Sequence, residues 1–538
     1  MTRLTVPIFV PAQASARPWP EQIAAAAALG ADMIELRADV ASKDLIAAAI
    51  NAVKAARRFD GKPLLAMVTI RPTWEGGLCD LGDDDRVRLF EHALGFGADF
   101  LDIELQAIEQ SARLRQAVAG WFNGQAGASQ NGQAQLVVSA HDFSGVPVDL
   151  PQRLRRLQAV SQAAWLKMVF LARSLADAIR SLELYGVHAR QDARPLLSLA
   201  MGEAGVITRL LAGKFGAPYN FAALPDVAGS APGQLALPVL RETYGVQRHD
   251  AATRVFGVAG WPVGHSISPA IHNAGFAAVD FNGCYVPLPI EPDYRVFLQT
   301  TDALRACAGL HFGGCSVTIP HKENALRYAR ERGLMVEPAA DAVGAANTLL
   351  FSQANRPGRC LNTDIDGIRA ALAGAKPPAL AGQRAAVFGA GGAARAVVYA
   401  LKEMNWRVTV FNRTAERGAE LVKAMGGDSM ALGSKSLDDF KPAEFGLIVN
   451  CTPVGMHPNI DASPLPEGAA IMPGQLVFDT VYNPHQTLLL RQARAAGAKV
   501  IYGLDMLLRQ AMEQFKGFTG MAPPVEVMRK AAERALGS

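Results

Sequence analysis

Along the first half of the chain, short apolar runs alternate with longer stretches in which apolar residues return every three or four positions. The runs are LTVPIFV (4–10), MIELRAD (33–39), LLAMVTIR (64–71), FLDIEL (100–105), LVVSAHD (136–142), WLKMVF (165–170), LLSLAM (196–201) and YNFAAL (219–224). Helical spacing falls between them, over Glu21–Leu29, Lys43–Arg58, Arg86–Gly95, Arg153–Gln162, Leu175–Leu184 and Val206–Leu211. Eight strand–helix units in about 250 residues predict a (β/α)8 barrel. Residues 240–253 are polar with weak periodicity and read as a short linker. A new strand starts at Arg254, followed by a Pro/Gly/Ser turn and a helix opening near Pro269. Further on, Arg384–Thr414 reads as strand to Phe388, glycine turn, alanine-rich helix to about Asn405, then strand Arg407–Phe411. The fold class is therefore α/β: a barrel at 1–247, then a two-lobed module whose nucleotide lobe, 363–504, is of Rossmann type.

The glycine turn has its own chemistry. Gly389 permits the tight turn, Gly391 lets backbone approach a pyrophosphate, and Ala394 lets the helix lie close to the sheet; Ala390, Gly392 and Ala393 complete the turn. A turn in a nucleotide-free α/β fold is the alternative. An NAD site carries an acid about 20 residues on, but this chain has Asn412-Arg413-Thr414, with Arg417 one helical turn later. Cations there suit a 2′-phosphate, so the expected cofactor is NADP.

Composition narrows the partners. At 538 residues the chain is multidomain, and with half its residues hydrophobic and 19% charged it is globular. A net charge of +4 is too small to argue for nucleic acid or membrane attraction, which leaves small molecules as partners. Six cysteines without a CxxC pair argue against a disulfide framework or structural zinc. No stretch offers 18 uninterrupted apolar residues, and Met1 to Val10 lacks a basic leader region, so a cytoplasmic location is expected. Oligomeric state is not legible.

In a barrel, chemistry sits at the C-terminal strand ends, where this chain places Glu35, Arg37, Arg71 with Glu75 just beyond, His141 and Arg209. Lys167 stands inside an apolar strand. Such a lysine can form an imine with a carbonyl substrate, or it can simply pair with a strand carboxylate such as Glu104. His141 can likewise be a satisfied strand-end group. Spacing alone allows any imine-forming lyase or aldolase.

These residues resemble the type I 3-dehydroquinate dehydratases. The likeness covers nearly all of 1–247 and rests on Glu35-Leu-Arg37-Ala-Asp39, Thr69-Ile-Arg71 with Glu75-Gly-Gly, Ser139-Ala-His141-Asp-Phe, Lys167, Gly205-Val-Ile-Thr-Arg209 and Ser230-Ala-Pro-Gly-Gln234. The resemblance implies that Lys167 forms the Schiff base and His141 moves the proton and assists loss of water. It implies that Arg209 holds the substrate carboxylate while Glu35, Arg37, Arg71, Ser230 and Gln234 position hydroxyls and ring. No metal is implied. Thr208 stands where that family often has serine, a change expected to be harmless.

The second half carries Ser266 and Ser268 in its turn, although Ser268 before Pro269 also reads as a helix cap. Then come Ser316-Val-Thr318-Ile-Pro-His-Lys322, Asn347 and Asp364. A lysine–aspartate pair near a hydride acceptor is a proton relay; singly these residues are ordinary surface charges, strand ends and caps. Together they resemble shikimate dehydrogenase over about 254–538. That resemblance implies Ser266 and Ser268 on the shikimate carboxylate, and Thr318, Asn347, Asp364, Tyr482 and Gln510 around the ring. It also implies proton transfer by Lys322 with Asp364, and a nicotinamide side lined by Asn450 to Met456, with Gly503 leading the chain back to a substrate lobe at 254–362 that the helices of 505–538 rejoin. Ser316 departs from the asparagine usual in bacterial single-domain relatives. The order of the halves resembles the plant-type fused enzymes, although no transit peptide is visible. The expectation is a bifunctional enzyme that makes 3-dehydroshikimate and reduces it with NADPH. A quinate-oriented catabolic version and a non-catalytic metabolite-sensing regulator are the alternatives.

Overall fold

The computed structural model describes residues 2–11, 17–122, 134–352, 357–375, 383–426 and 432–537. It divides into two compact units. One holds Met1–Arg254 with Val286–Pro289 and Gln299–His311; the other holds Val255–Tyr285, Ile290–Leu298 and Phe312–Ser538.

In the first unit the eight apolar runs form eight strands: β1 (Arg3–Phe9), β2 (Met33–Arg37), β3 (Leu65–Thr69), β4 (Phe100–Glu104), β5 (Gln135–Asp142), β6 (Trp165–Leu171), β7 (Leu196–Met201) and β8 (Tyr219–Phe221). They pair in parallel in the order β7-β6-β5-β4-β3-β2-β1-β8, a near-closed barrel whose β7 and β8 share no ladder. Successive strand residues face opposite ways. Ile34, Leu36, Leu101, Ile103, Leu166 and Met168 are buried among the hydrophobic core residues, while Glu35, Asp102, Glu104, Ser139 and Lys167 occupy the alternate positions. Aromatic rings fill part of the barrel: Trp165 stacks on Phe100 at 4.2 Å and on Tyr219 at 5.2 Å between centroids.

Two expectations need correction here. The strand 219–224 stops at Phe221. Residues 240–253 are not a free linker: helical turns form at Val239–Thr243 and Val246–Arg248, and Leu240, Val246 and Thr253 are buried. Gln247 Nε2 donates to Asp32 Oδ2 at 2.9 Å, tying the segment to the barrel. Its buried positions, Leu240, Val246 and Thr253, fall at irregular intervals, a pattern too sparse to register as periodicity.

Beyond the barrel the chain forms two lobes, each built on a six-stranded sheet. The first sheet runs β10 (Gly283–Pro289), β9 (Arg254–Gly260), β11 (Phe312–Val317), β13 (Thr348–Leu350), β14 (Arg359–Leu361), β12 (Met335–Val336). Here β13 is antiparallel to both neighbours. The helices Gly503–Thr519 and Val525–Leu536 pack into this lobe's core, through Leu504, Leu508, Phe515, Phe518, Met528 and Ala532 against Phe256, Ile271 and Phe276. The second sheet is wholly parallel in the order β17 (Leu432–Lys435), β16 (Arg407–Phe411), β15 (Arg384–Phe388), β18 (Leu447–Asn450), β19 (Leu476–Asp479), β20 (Lys499–Ile501). That is the doubly wound Rossmann order, and ligands bind where it reverses, between β15 and β18.

Candidate active sites in the two halves

The barrel residues singled out from sequence converge on one cleft. Glu35, Arg37, Arg71, Glu75, His141, Lys167, Arg209, Ser230 and Gln234 all line it. Lys167 is 3% exposed, and its Nζ lies 2.8 Å from Asp102 Oδ2 and 4.7 Å from the Phe221 ring centroid. Its carboxylate partner is therefore Asp102, not Glu104. Both Glu104 oxygens are already taken, Oε1 by Arg71 at 3.0 Å and Oε2 by Arg86 at 2.5 Å. Arg71 also reaches Asp102 Oδ1 at 2.9 Å and Ser139 Oγ at 2.8 Å. Burial pushes the Asp102 carboxyl up, but Arg71 and Lys167 outweigh it and hold the group well below the usual carboxylate range.

Arg209 contrasts with these paired ions. It is 1% exposed, and among the described residues it has no carboxylate partner; Nε and Nη1 are unsatisfied and Nη2 makes only a 3.5 Å contact to Pro232 O. Burial lowers it to about 10, so it remains cationic at neutral pH. A buried guanidinium without an anion is costly unless an anion arrives. Around it, Ser230 and Gln234 bond each other, Ser230 N to Gln234 Oε1 at 2.9 Å and Gln234 Nε2 to Ser230 Oγ at 3.1 Å. Glu35 accepts from Thr69 Oγ1 at 2.8 Å, and Arg37 pairs with Asp39 at 2.7 Å. Thr208 is satisfied locally, donating to Gly205 O at 2.7 Å.

Sequence spacing set Glu75 just beyond Arg71 without giving it a role at the site. Its Oε1 takes both the backbone N–H of His141 at 2.9 Å and His141 Nδ1 at 2.8 Å. Burial pushes Glu75 up to about 8 against the pull of Arg71, while burial with Arg71 and Lys167 pushes His141 well below its ordinary value. The pair is thus uncharged at neutral pH. In the tautomer that carries its proton on Nδ1, bonded to Glu75 Oε1, the imidazole of this cleft-lining histidine has Nε2 as its basic nitrogen. The available signal was the spacing: Glu75 ends a short 3-10 turn, Thr73–Glu75, four residues beyond Arg71.

In the second unit, Lys322 Nζ lies 2.5 Å from Asp364 Oδ2. Asn347 Nδ2 donates to Asp364 Oδ1 at 3.0 Å and to Gln510 Oε1 at 2.9 Å, and Asn347 Oδ1 takes Thr363 N at 2.9 Å and Thr348 Oγ1 at 2.8 Å. Four of the expected residues thus share one network. Thr318 follows β11 directly. Ser316, the departure from asparagine, accepts from Tyr285 OH and donates to Gln514 Oε1, both at 2.7 Å, so its hydroxyl is used inside the lobe. Ser268 is not the helix cap: Ile267 is, without a side-chain bond, and Ser268 is the first residue of Ser268–Ala278, its N–H donating to Ser266 Oγ at 3.3 Å. Tyr482 is half-buried just past β19.

The nucleotide turn meets this network, since a Cβ on Gly392 would stand 3.2 Å from Lys322 Cδ. Gly389 has φ +107, and a Cβ there would stand 3.2 Å from Cys451 O and Thr452 Cγ2, so glycine serves both conformation and space. Gly391, Ala390 and Ala393 flank the start of helix Gly392–Glu403, and beside Gly391 no atom lies within 4 Å of an added Cβ. Open space at a helix N-terminus fits a dinucleotide's phosphates. Arg413 and Arg417 are exposed and unpaired among the described residues, with Asn412 Nδ2 bonded to Thr414 O at 2.7 Å between them. Thr452 Oγ1 and N both bond Asn450 Oδ1, at 2.7 and 3.0 Å, and Met456 is 44% exposed on the same loop. Asn450 Nδ2 in turn donates to Asp479 Oδ1 at 3.0 Å. Burial raises the Asp479 carboxyl to about 6.

Comparison with known proteins agrees in layout. Residues 7–251 match type I 3-dehydroquinase, 258–349 the shikimate dehydrogenase substrate binding domain, 371–452 shikimate / quinate 5-dehydrogenase, and 503–533 the shikimate 5′-dehydrogenase C-terminal domain. The chain is 35% identical over 515 residues to the chloroplastic bifunctional 3-dehydroquinate dehydratase/shikimate dehydrogenase of Arabidopsis thaliana, covering 93% of this chain and 79% of that one. It is 42% identical to the NADP(+) shikimate dehydrogenase of Methanocella arvoryzae, over 52% of this chain and 99% of that one. A solved relative, shikimate 5-dehydrogenase of Thermus thermophilus in complex with NADP(H) and shikimate, is 37% identical over 53% of this chain and 100% of its own, with a TM-score of 0.46. The chain belongs to the family of bifunctional 3-dehydroquinate dehydratases/shikimate dehydrogenases.

Proposed function

We propose that the barrel dehydrates 3-dehydroquinate to 3-dehydroshikimate and that the second unit reduces this product to shikimate with NADPH. The observation that carries the reading is Arg209, a buried cation with no anion among the described residues, in the cleft that also presents Lys167 and His141. A small ketone bearing a carboxylate satisfies both ends of that cleft.

In this reading the Lys167 amine, once it has given up its extra proton, attacks the substrate ketone, and water leaves as the imine forms. The imine draws electrons from the neighbouring carbon, whose proton passes to His141 Nε2. The electron pair then closes to the ring double bond as the β-hydroxyl departs, protonated by the same imidazole. Hydrolysis of the imine returns Lys167. Glu35, Arg37, Arg71, Ser230 and Gln234 hold hydroxyls and ring.

In the second unit Ser266 and Ser268 hold the carboxylate, with Thr318, Asn347, Tyr482 and Gln510 around the ring. NADPH, when bound, supplies the hydride. Gly389 to Ala393 hold its phosphates, Asn412, Arg413, Thr414 and Arg417 its 2′-phosphate end, and Thr452, Met456 and Gly503 its nicotinamide side. Lys322 donates the proton that turns the reduced carbonyl oxygen into an alcohol, and Asp364 orients the ammonium. Six cysteines, none in a disulfide, suit a cytoplasmic enzyme of small-molecule metabolism. Purified chain given only 3-dehydroquinate and NADPH should oxidise NADPH and form shikimate. NADPH oxidation from 3-dehydroshikimate but not from 3-dehydroquinate would remove the barrel's assignment; oxidation from neither would remove the dehydrogenase assignment, and the barrel would then be judged by its dehydration of 3-dehydroquinate alone.

A further inference from the structure

Asp479 ends β19, is fully buried, and faces no cation in any ion pair among the described residues. Three neutral donors meet it instead. Oδ1 accepts from Asn450 Nδ2 and from Val481 N, each at 3.0 Å, and Oδ2 accepts from Thr487 Oγ1 at 2.6 Å. Each donor belongs to a different segment around β19. Asn450 holds Thr452 by side chain and backbone, and so shapes the Thr452–Met456 loop. Val481 directly precedes Tyr482. Thr487 caps helix Leu488–Ala495, accepting from Leu490 N at 3.3 Å. The turn that Asp479 closes also bears on a fourth piece, because a Cβ on Gly503 would stand 2.4 Å from Val481 O. Gly503 opens the helix that carries Gln510.

We infer that Asp479 is a positioning residue that sets the cofactor-side loop and the substrate-side turn by one shared carboxylate, so that loss of the carboxylate is felt at both while loss of one arm is felt only where that arm leads. The inference rests on the reading of Thr452 and Tyr482 as ligand contacts. A carboxylate is suited to the task because it accepts several bonds at fixed angles and donates none. Removing it leaves three buried donors seeking partners, and the two segments lose their common reference.

The test uses the full chain, with the thermal unfolding transition of each variant compared with the wild type as a check that the dehydrogenase unit is folded. In Asp479→Ala, NADPH affinity and the KM for 3-dehydroshikimate should both worsen by about tenfold, or about 1.4 kcal/mol each. In Asp479→Asn, the amide oxygen can keep Asn450 and Val481 while the Thr487 hydroxyl reverses to accept, so both values should return to within about threefold of the wild type. In Asn450→Ala only the NADPH affinity should fall, since Asn450 reaches the cofactor loop and not Tyr482. Loss of one ligand only in Asp479→Ala, an Asp479→Asn variant as poor as Asp479→Ala, or loss of substrate binding in Asn450→Ala would each overturn the inference. If Asp479→Ala does not fold, the Asp479→Asn rescue and the Asn450→Ala arm still decide it. Thr452→Ala and Tyr482→Phe measured alongside isolate the underlying reading: unchanged affinity in both means those residues do not contact ligand, whatever Asp479 does.

Discussion

Lys167 Nζ lies 2.8 Å from Asp102 Oδ2, although the strand register sets Lys167 beside Ser139 and Ser139 beside Glu104. The lateral neighbour on β4 is occupied by two arginines, so the lysine reaches down to the residue two positions earlier. This leaves Lys167 paired with Asp102, and Arg209, among the described residues, without an anion. Borohydride added to enzyme and product should attach the product to Lys167 alone, as read by peptide mass. Lys167→Ala should abolish dehydration while the NADPH-dependent activity continues. A label on another lysine refutes the assignment.

Glu75 gives a pH dependence whose sign follows from its raised carboxyl. The group titrates at about 8 in the folded barrel and near 4.5 when exposed, so between those values the folded state binds more protons. Stability must then fall as pH rises from about 4.5 to 8, and level off beyond. Glu75→Gln, which keeps the shape without the titration, should flatten that part of the curve. Denaturant midpoints at a series of pH values decide it; an equal slope in both proteins means that Glu75 is ionised throughout.

Arg413 and Arg417 stand exposed and, among the described residues, without partners at the end of β16. One charge-assisted contact to phosphate contributes roughly 1.5–3 kcal/mol, so Arg413→Ser should weaken NADPH binding by about ten- to a hundredfold. NADH use should change little. An unaltered NADPH/NADH ratio would show that the cation does not read the 2′-phosphate.

Lys322 and Ser266 should separate chemistry from binding. General acid–base help supplies typically 10²- to 10⁴-fold, so Lys322→Ala should lose kcat on that order with a modest change in KM. Asp364→Asn should resemble it. Ser266→Ala should mainly raise KM for shikimate. A Lys322→Ala enzyme with near-normal kcat and a large rise in KM makes the lysine a binding residue.

Much of this site was legible because barrel strands carry their chemistry in a period of two. Glu35, Arg37, Thr69, Arg71, Ser139, His141 and Lys167 all obey it, and a polar residue at such a position inside an apolar run has few bland explanations. What sequence could not supply was the choice among partners. Glu104 and Asp102 are both lumen-facing, and only the arginines arriving from just beyond β3 and from helix Asp83–Gly95 decide which keeps an oxygen for the lysine. Ser268 illustrates the same limit at a helix start: shifting the boundary by one residue turns a cap into a free hydroxyl. Residues 240–253 were misjudged because three buried side chains in the segment make no pattern, yet suffice to fix it.

The missing ladder between β7 and β8 has a consequence for the barrel. Where the strands leave each other unpaired, Gly202 N donates to Pro232 O at 3.2 Å, joining the turn after β7 to the loop that bears Ser230 and Gln234. The barrel is a hoop, and its buckle lies at the mouth of the cleft. Under the proposed function, a substrate held by Arg209, which follows β7, and by Gln234, which follows β8, would fasten the buckle, and bound ligand should then protect the seam from opening.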